Sequence, residues 1–361
     1  MTTLLERPEA AGVHPPKAPR YPDRGGPRQP MLIVEDLKKH FPLKGGLLKR
    51  TQAVVRAVDG VTFTVPKRAT LGIVGESGCG KSTTARLLSH LIEPDEGTII
   101  FDGEAVGRQG GISVRDLRRR MQMVFQDSYS SLNPRLPIVD SISFGPRANG
   151  VPVKQARESA EEILGLVGLN PRQFARRYPH QLSGGQRQRV NIARALAMEP
   201  RLIVLDEAVS ALDKSVEAQV LNLLARLKEQ FDLTYIFISH DLNVVQYISD
   251  RVLVMYLGEV VEIGDVDEVY NNPAHPYTAA LLSSRPSMDP AARRTEPPLS
   301  GDPPNPVNPP SGCRFRTRCA LAEDVCAKVA PRLTPLPGHH DHPVACHARV
   351  PGTGHSLAPA Q

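Results

Sequence analysis

The chain has 361 residues, with 44 Lys and Arg against 38 Asp and Glu, a formal charge of +6. Apolar residues make up 40% and charged residues 23%, values of a globular chain that exclude a wholly disordered or fibrous one. The length accommodates one large domain with an accessory piece, or two domains. The charge is spread along the sequence. Its densest run, Arg115 with Arg118, Arg119 and Arg120, reads as a solvated helix face, and without Trp or interleaved aromatics it gives little support to a nucleic-acid surface. No window approaches 18 consecutive apolar residues, so no membrane-spanning helix is expected. The N-terminus lacks the basic start and apolar run of a secretory signal, so the cytosol is the expected compartment.

Of 34 prolines, seven fall in residues 1–30, twelve in 31–285 and fifteen in 286–361. The proline-poor middle therefore suggests boundaries near 30 and 285. Residues 1–30 read as a disordered or loosely attached tail. MLIVEDLKKHF, from Met31, reads as a first strand. AVVRAVDGVTFTVPKRATLGIVG reads as further strands, alternating in VTFTV and continuously apolar in LGIV. A helix is expected from Lys81. Ala156, Ala160, Ile163, Leu164 and Val167 share one helical face, as do Val216, Val220, Leu223, Leu227 and Phe231. RLIVLDE, LTYIFISHD and RVLVMYLGEVVEIG are apolar strand candidates. Strands alternating with helices predict an α/β fold with a mostly parallel central sheet. Residues 286–312 carry nine prolines and read as a linker or extended strap.

Chemistry enters at Gly75-Glu76-Ser77-Gly78-Cys79-Gly80-Lys81-Ser82, followed by Thr83, which fits the phosphate-loop pattern between an apolar strand and a helix. Its glycines let backbone N–H groups turn around phosphate oxygens, and the helix N-terminus adds partial positive charge. Lys81 can reach the β- and γ-phosphates and Ser82 can ligate Mg²⁺. Cys79 fills a free position. LIVLD, ending in Asp206 and followed by Glu207, can set one carboxylate beside Mg²⁺ and the next beside water. Ser183-Gly184-Gly185-Gln186, opening a helix, is a second anion-binding constellation, although alone it could be an N-cap turn.

With Asp213 and His240 following, residues 31–285 resemble the ATP-binding subunits of ABC transporters. The resemblance implies a P-loop NTPase with a RecA-like core, an antiparallel β subdomain and a helical signature subdomain. Gly75 to Ser82 would be the Walker A loop. Gln126, in MVFQD, would be the Q-loop glutamine, touching Mg²⁺ or water. Leu182 to Gln186 would be the signature that faces the partner subunit's nucleotide. Asp206 and Glu207 would be the Walker B aspartate and catalytic glutamate, Ser210 to Asp213 the D-loop, and His240 the switch histidine. Phe41 is the candidate for adenine stacking, with a core phenylalanine as the equal alternative. One phosphate loop and one signature per chain imply that two such domains close two ATP sites between them.

His275-Pro276-Tyr277-Thr278-Ala-Ala-Leu-Leu and the Cys-containing tail resemble the oligopeptide/dipeptide importer ATPases, the F-type member slightly more than the D-type. This implies peptide import, with nickel or other small solutes in close relatives. It also implies work with a second ATPase subunit, two permeases and an extracellular solute-binding protein at the cytoplasmic membrane face. Lys214, after the D-loop, stands where an apolar residue is more usual. Cys313, Cys319, Cys326 and Cys346 have five, six and nineteen residues between them. Such wide gaps suit a [4Fe–4S] cluster, as reported in some family members, better than structural zinc, with no metal as a third alternative. His339, His340, His342 and His347 read as solvated loop residues.

Overall fold

The computed structural model describes residues 21, 23–43, 53–285, 301–302 and 304–360. Strands β1 (Leu32–Leu43), β2 (Ala53–Val65), β4 (Glu96–Phe101) and β5 (Glu104–Ala105) form an antiparallel sheet in the order β2-β1-β4-β5. The remaining strands are β3 (Thr70–Val74), β6 (Met121–Val124), β7 (Leu202–Asp206), β8 (Thr234–Ile238), β9 (Arg251–Tyr256), β10 (Glu259–Asp265), β11 (Thr334–Leu336) and β12 (His339–Val344). They form one eight-stranded sheet in the order β11-β12-β10-β9-β3-β8-β7-β6. From β9 to β6 the pairing is parallel, and β10, β12 and β11 continue it antiparallel. Every residue of β3, β7 and β8 is buried, as expected of parallel strands covered on both faces. RVLVMYLGEVVEIG is a hairpin of β9 and β10, turned by Leu257 and Gly258 at positive φ.

Helices α1 (Lys81–Leu88), α2 (Val114–Arg120), α3 (Ile138–Ala148), α4 (Val153–Leu166), α5 (Pro171–Phe174) and α6 (Gly184–Leu196) precede β7. Helices α7 (Lys214–Phe231), α8 (Leu242–Ile248), α9 (Val266–Asn271), α10 (Pro276–Ser283) and α11 (Asp324–Lys328) follow it. Helix α3 packs on α4 and α6, forming a helical layer that carries Ser183 at the start of α6. The apolar face of α4 is buried at Ala156, Ala160 and Leu164. That of α7 is buried at Val220, Leu223 and Leu227, but Phe231, the helix's last residue, is 37% exposed.

Two further expectations are corrected by packing and one is narrowed. The Arg run is not uniformly solvated: Arg120 is buried, with Nη1 3.2 Å from Glu104 Oε2 and its guanidinium over the Tyr21 ring. Of the two tail readings, residues 23–30 take the attached one, through polar contacts. Lys67 bonds Asp23 and the Gly26 carbonyl, and Arg24 Nη1 donates to Glu104 at 2.6 Å. His342 and His347 are buried while His339 and His340 are exposed. Pairing of β12 beside β10 carries His342 Nε2 to 2.7 Å from Glu262 Oε1, and His347 Nε2 lies 2.9 Å from the Val329 carbonyl. Expectations for residues 1–20 and 286–300 fall outside the described residues. Among the described residues no helix is long and apolar enough to cross a membrane.

Candidate active site

The phosphate loop joins β3 to α1. Gly75, Gly78 and Gly80 all have positive φ, of 149°, 79° and 108°. At Gly80 the need for glycine is twofold: the backbone is left-handed, and a Cβ would stand 2.3 Å from the Ala57 carbonyl oxygen of β2. Lys81 is buried, and its Nζ donates to the carbonyls of Gly75 at 2.7 Å and Glu76 at 3.0 Å. Cys79 is buried, and burial pushes its thiol pKa up, which suits an inert filler of the loop.

Strand β7 delivers its terminal carboxylate to the first turn of α1. Ser82 Oγ donates to Asp206 Oδ1 at 3.0 Å. Burial raises the Asp206 pKa, opposed by that hydroxyl. A hydroxyl paired with a partly desolvated carboxylate at a strand's carboxyl edge is the oxygen donor set that a small hard cation takes. Glu207 follows with φ 48°, its N–H donating to Ile238 O at 2.9 Å. Gln126 Nε2 donates to Glu207 Oε2 at 2.8 Å, and His240 Nδ1 lies 3.5 Å from the same oxygen. Side chains from positions 126, 207 and 240 thus meet at one carboxylate beside the Ser82–Asp206 pair.

Ser183 caps α6 through a capping box: its Oγ accepts the Gln186 N–H and its own N–H donates to Gln186 Oε1. Gly185 is forced by packing, since a Cβ there would stand 2.3 Å from Val216 Cγ1 of α7. Ser210 Oγ donates to the Glu207 carbonyl, and Asp213 is the N-cap residue of α7. Phe41 lies on β1 opposite Val55, two residues from Ala57, and is 38% exposed, so it is not a core residue.

The four tail cysteines come from separate stretches yet line one small cavity of about 20 Å³, together with His275, Phe315 and His355. All are free thiols, and burial pushes Cys313 up to about 12 and raises Cys319 and Cys346. Among the described residues no group of three or more His, Cys, Asp or Glu side chains is arranged to hold a metal ion. Nothing beyond the meeting of the four cysteines at this cavity supports the expected [4Fe–4S] or zinc site.

Several contacts at the site were missed from the residues alone. Arg318 and Tyr277 both hold Glu76 of the phosphate loop, and Lys214 Nζ reaches Asp241 Oδ2, next to His240, at 2.8 Å. The motif around Tyr277 was legible as a family mark, but nothing local tied it to Glu76.

Comparison with known proteins decides the family. Residues 58–210 match the model described as ABC transporter, and residues 261–326 that of the oligopeptide/dipeptide transporter C-terminal region. The "probable peptide ABC transporter ATP-binding protein" of Sinorhizobium fredii is 51% identical over 91% of this chain and 93% of its own length. The chain belongs to the ATP-binding subunits of ABC transporters, in the oligopeptide/dipeptide group. The oligopeptide transport ATP-binding protein AppF of Bacillus subtilis is 49% identical over 89% of this chain and 98% of its own. A solved ABC transporter subunit, CbiO1 of Clostridium perfringens, superposes with a TM-score of 0.58 at 28% identity, covering 67% of this chain and 91% of that one. The ABC ATPase fold, with its mixed sheet and helices, agrees with the architecture above. Membership implies ATP as substrate with Mg²⁺, and the Ser82–Asp206 pair and the glycine cradle fit both.

Proposed function

We propose that this chain hydrolyses ATP to drive peptide import, as one of two ATPase subunits bound peripherally to two permeases at the cytoplasmic membrane face and served by an extracellular solute-binding protein. The observation that carries the ATPase reading is the convergence of Gln126 and His240 on Glu207, beside Ser82 and Asp206. The peptide reading rests on the C-terminal family match and on the names of the relatives, among which AppF supports the F-type branch.

In this mechanism Ser82, Asp206 and Gln126 would hold Mg²⁺, whose charge would offset that of the phosphates. Residues 75–83 would cradle the phosphates, and Lys81, held at the Gly75 and Glu76 carbonyls, would reach the β- and γ-phosphates. Phe41 stacks on adenine. Glu207 orients the attacking water and takes its proton, while His240 contacts the γ-phosphate. Ser183, Gly184, Gly185 and Gln186 cap the nucleotide of the partner subunit, and Asp213 lies at the same interface. The proposed division of the chain is a tail (1–30), an ATPase domain (31–285) and a C-terminal extension (286–361). The convergence of the four cysteines on one cavity supports a further proposal, that this extension holds a [4Fe–4S] cluster, with zinc as the alternative.

Reconstitution with the permeases and binding protein in liposomes tests the reading. Internal MgATP should drive uptake of labelled peptide, and Lys81→Ala should reduce it at least a hundredfold. Undiminished uptake in that variant would contradict the proposal.

A further inference from the structure

The C-terminal segment lies against the phosphate loop itself. Arg318, 5% exposed at its side chain, forks onto Glu76, with Nη1 donating to Oε2 at 2.7 Å and Nη2 to Oε1 at 3.0 Å. The Glu76 backbone N–H donates to the Tyr277 hydroxyl at 2.8 Å. Phe315 seats both contacts. Its ring centroid stands 5.4 Å from that of Tyr277 and 5.3 Å from that of Tyr256, whose hydroxyl accepts from Arg318 at 3.4 Å. Glu76 is thus held through its main chain and its side chain by residues about 200 positions later in the chain.

Two consequences follow for ATP. The Glu76 carboxylate borders a site for a polyanion, and an unpaired negative charge there would repel phosphate. The guanidinium fork cancels that charge, and a bidentate pair also fixes orientation. The Gly75 and Glu76 carbonyls are moreover the seat of the Lys81 ammonium, so Glu76 cannot shift without moving Lys81.

Resting on the ATPase reading above, we propose that Arg318, steadied by Tyr277 and Phe315, is a positioning residue for ATP binding, through which the C-terminal segment sets the affinity of the phosphate loop in its own chain.

The test is isothermal calorimetry of MgATP with the full-length chain carrying Glu207→Gln, so that nucleotide is not consumed. Arg318→Ala should raise Kd about tenfold, the scale of one lost charge-assisted contact. Adding Glu76→Gln should restore most of that loss, because the uncompensated charge is gone. Arg316→Ala, on the same loop but bonded to Ser311, should stay within about twofold. With Glu207 intact, Arg318→Ala should raise KM for ATP and leave kcat nearly unchanged. If Arg318→Ala does not fold by circular dichroism, Arg318→Gln takes its place. A wild-type Kd in the Arg318 variant, an equal loss with Arg316→Ala, or no restoration by Glu76→Gln would each overturn the proposal. Failure of the parent chain to bind MgATP would instead strike the ATPase reading.

Discussion

Glu207 holds φ at 48°, a conformation that a glutamate adopts only at some energetic cost, and its main-chain bond to Ile238 keeps it there. That turn separates two adjacent acids. Asp206 stays at the strand end with Ser82, while Glu207 swings to Gln126 and His240. Partial burial raises the pKa of the Cys313, Cys319 and Cys346 thiols, so a bound cluster would supply the charge that draws their protons off. Anaerobically purified protein should therefore contain about four irons per chain and absorb broadly near 400 nm by the proposed reading. Iron-free and zinc-free protein would remove it. Lys214, which follows Asp213, is ion-paired to Asp241 and Glu217 but largely exposed, so the pairs add little to stability.

Among the elements, α10 and β12 show most clearly what local pattern can and cannot reveal. His275 is buried, and its Nδ1 accepts the Tyr277 N–H at 3.0 Å, capping α10. Burial pushes its pKa from 6.5 down to about 4, against the pull of Glu262 on β10, whose carboxylate also takes His342 of β12. The folded state therefore binds fewer protons at this site than the unfolded state between pH 4 and 6.5. Its contribution to stability is complete above about pH 6.5 and is lost as pH falls through about 4. The urea midpoint should fall between pH 7 and pH 4.5, and His275→Asn, which keeps a capping acceptor, should flatten that fall. An unchanged slope would show that other groups carry it. The parallel strands and the faces of α4 and α7 were legible because burial there follows a local period. Phe231 broke the pattern at a helix end. The place of His342 was not legible, because it depends on Glu262 of β10 pairing with Val344 of β12, a contact 82 positions apart with no local signature.

Over the whole molecule, the local geometry around the proposed ATP site was legible because each part is a short motif whose backbone shape is encoded locally: glycines at positive φ, a capping serine, acids ending a buried strand. The attachment of the C-terminal segment could not, since Arg318 and Arg314 find Glu76 and Asp59 only after the fold has formed. Arg314 bonds Asp59 and the Leu257 carbonyl, and Asp59 in turn lies 2.8 Å from His40, next to Phe41. Two flanks of the proposed nucleotide site are thereby tied to one loop. In the proposed mechanism Glu207 performs the hydrolytic step while other residues bind nucleotide. Steady-state phosphate release by the assembled transporter, measured beside MgATP binding, tests it most directly. Glu207→Gln should bind MgATP with a Kd within about threefold of wild type and lose at least a hundredfold in turnover, within the usual range for removal of a general base. Turnover retained in that variant would contradict the account.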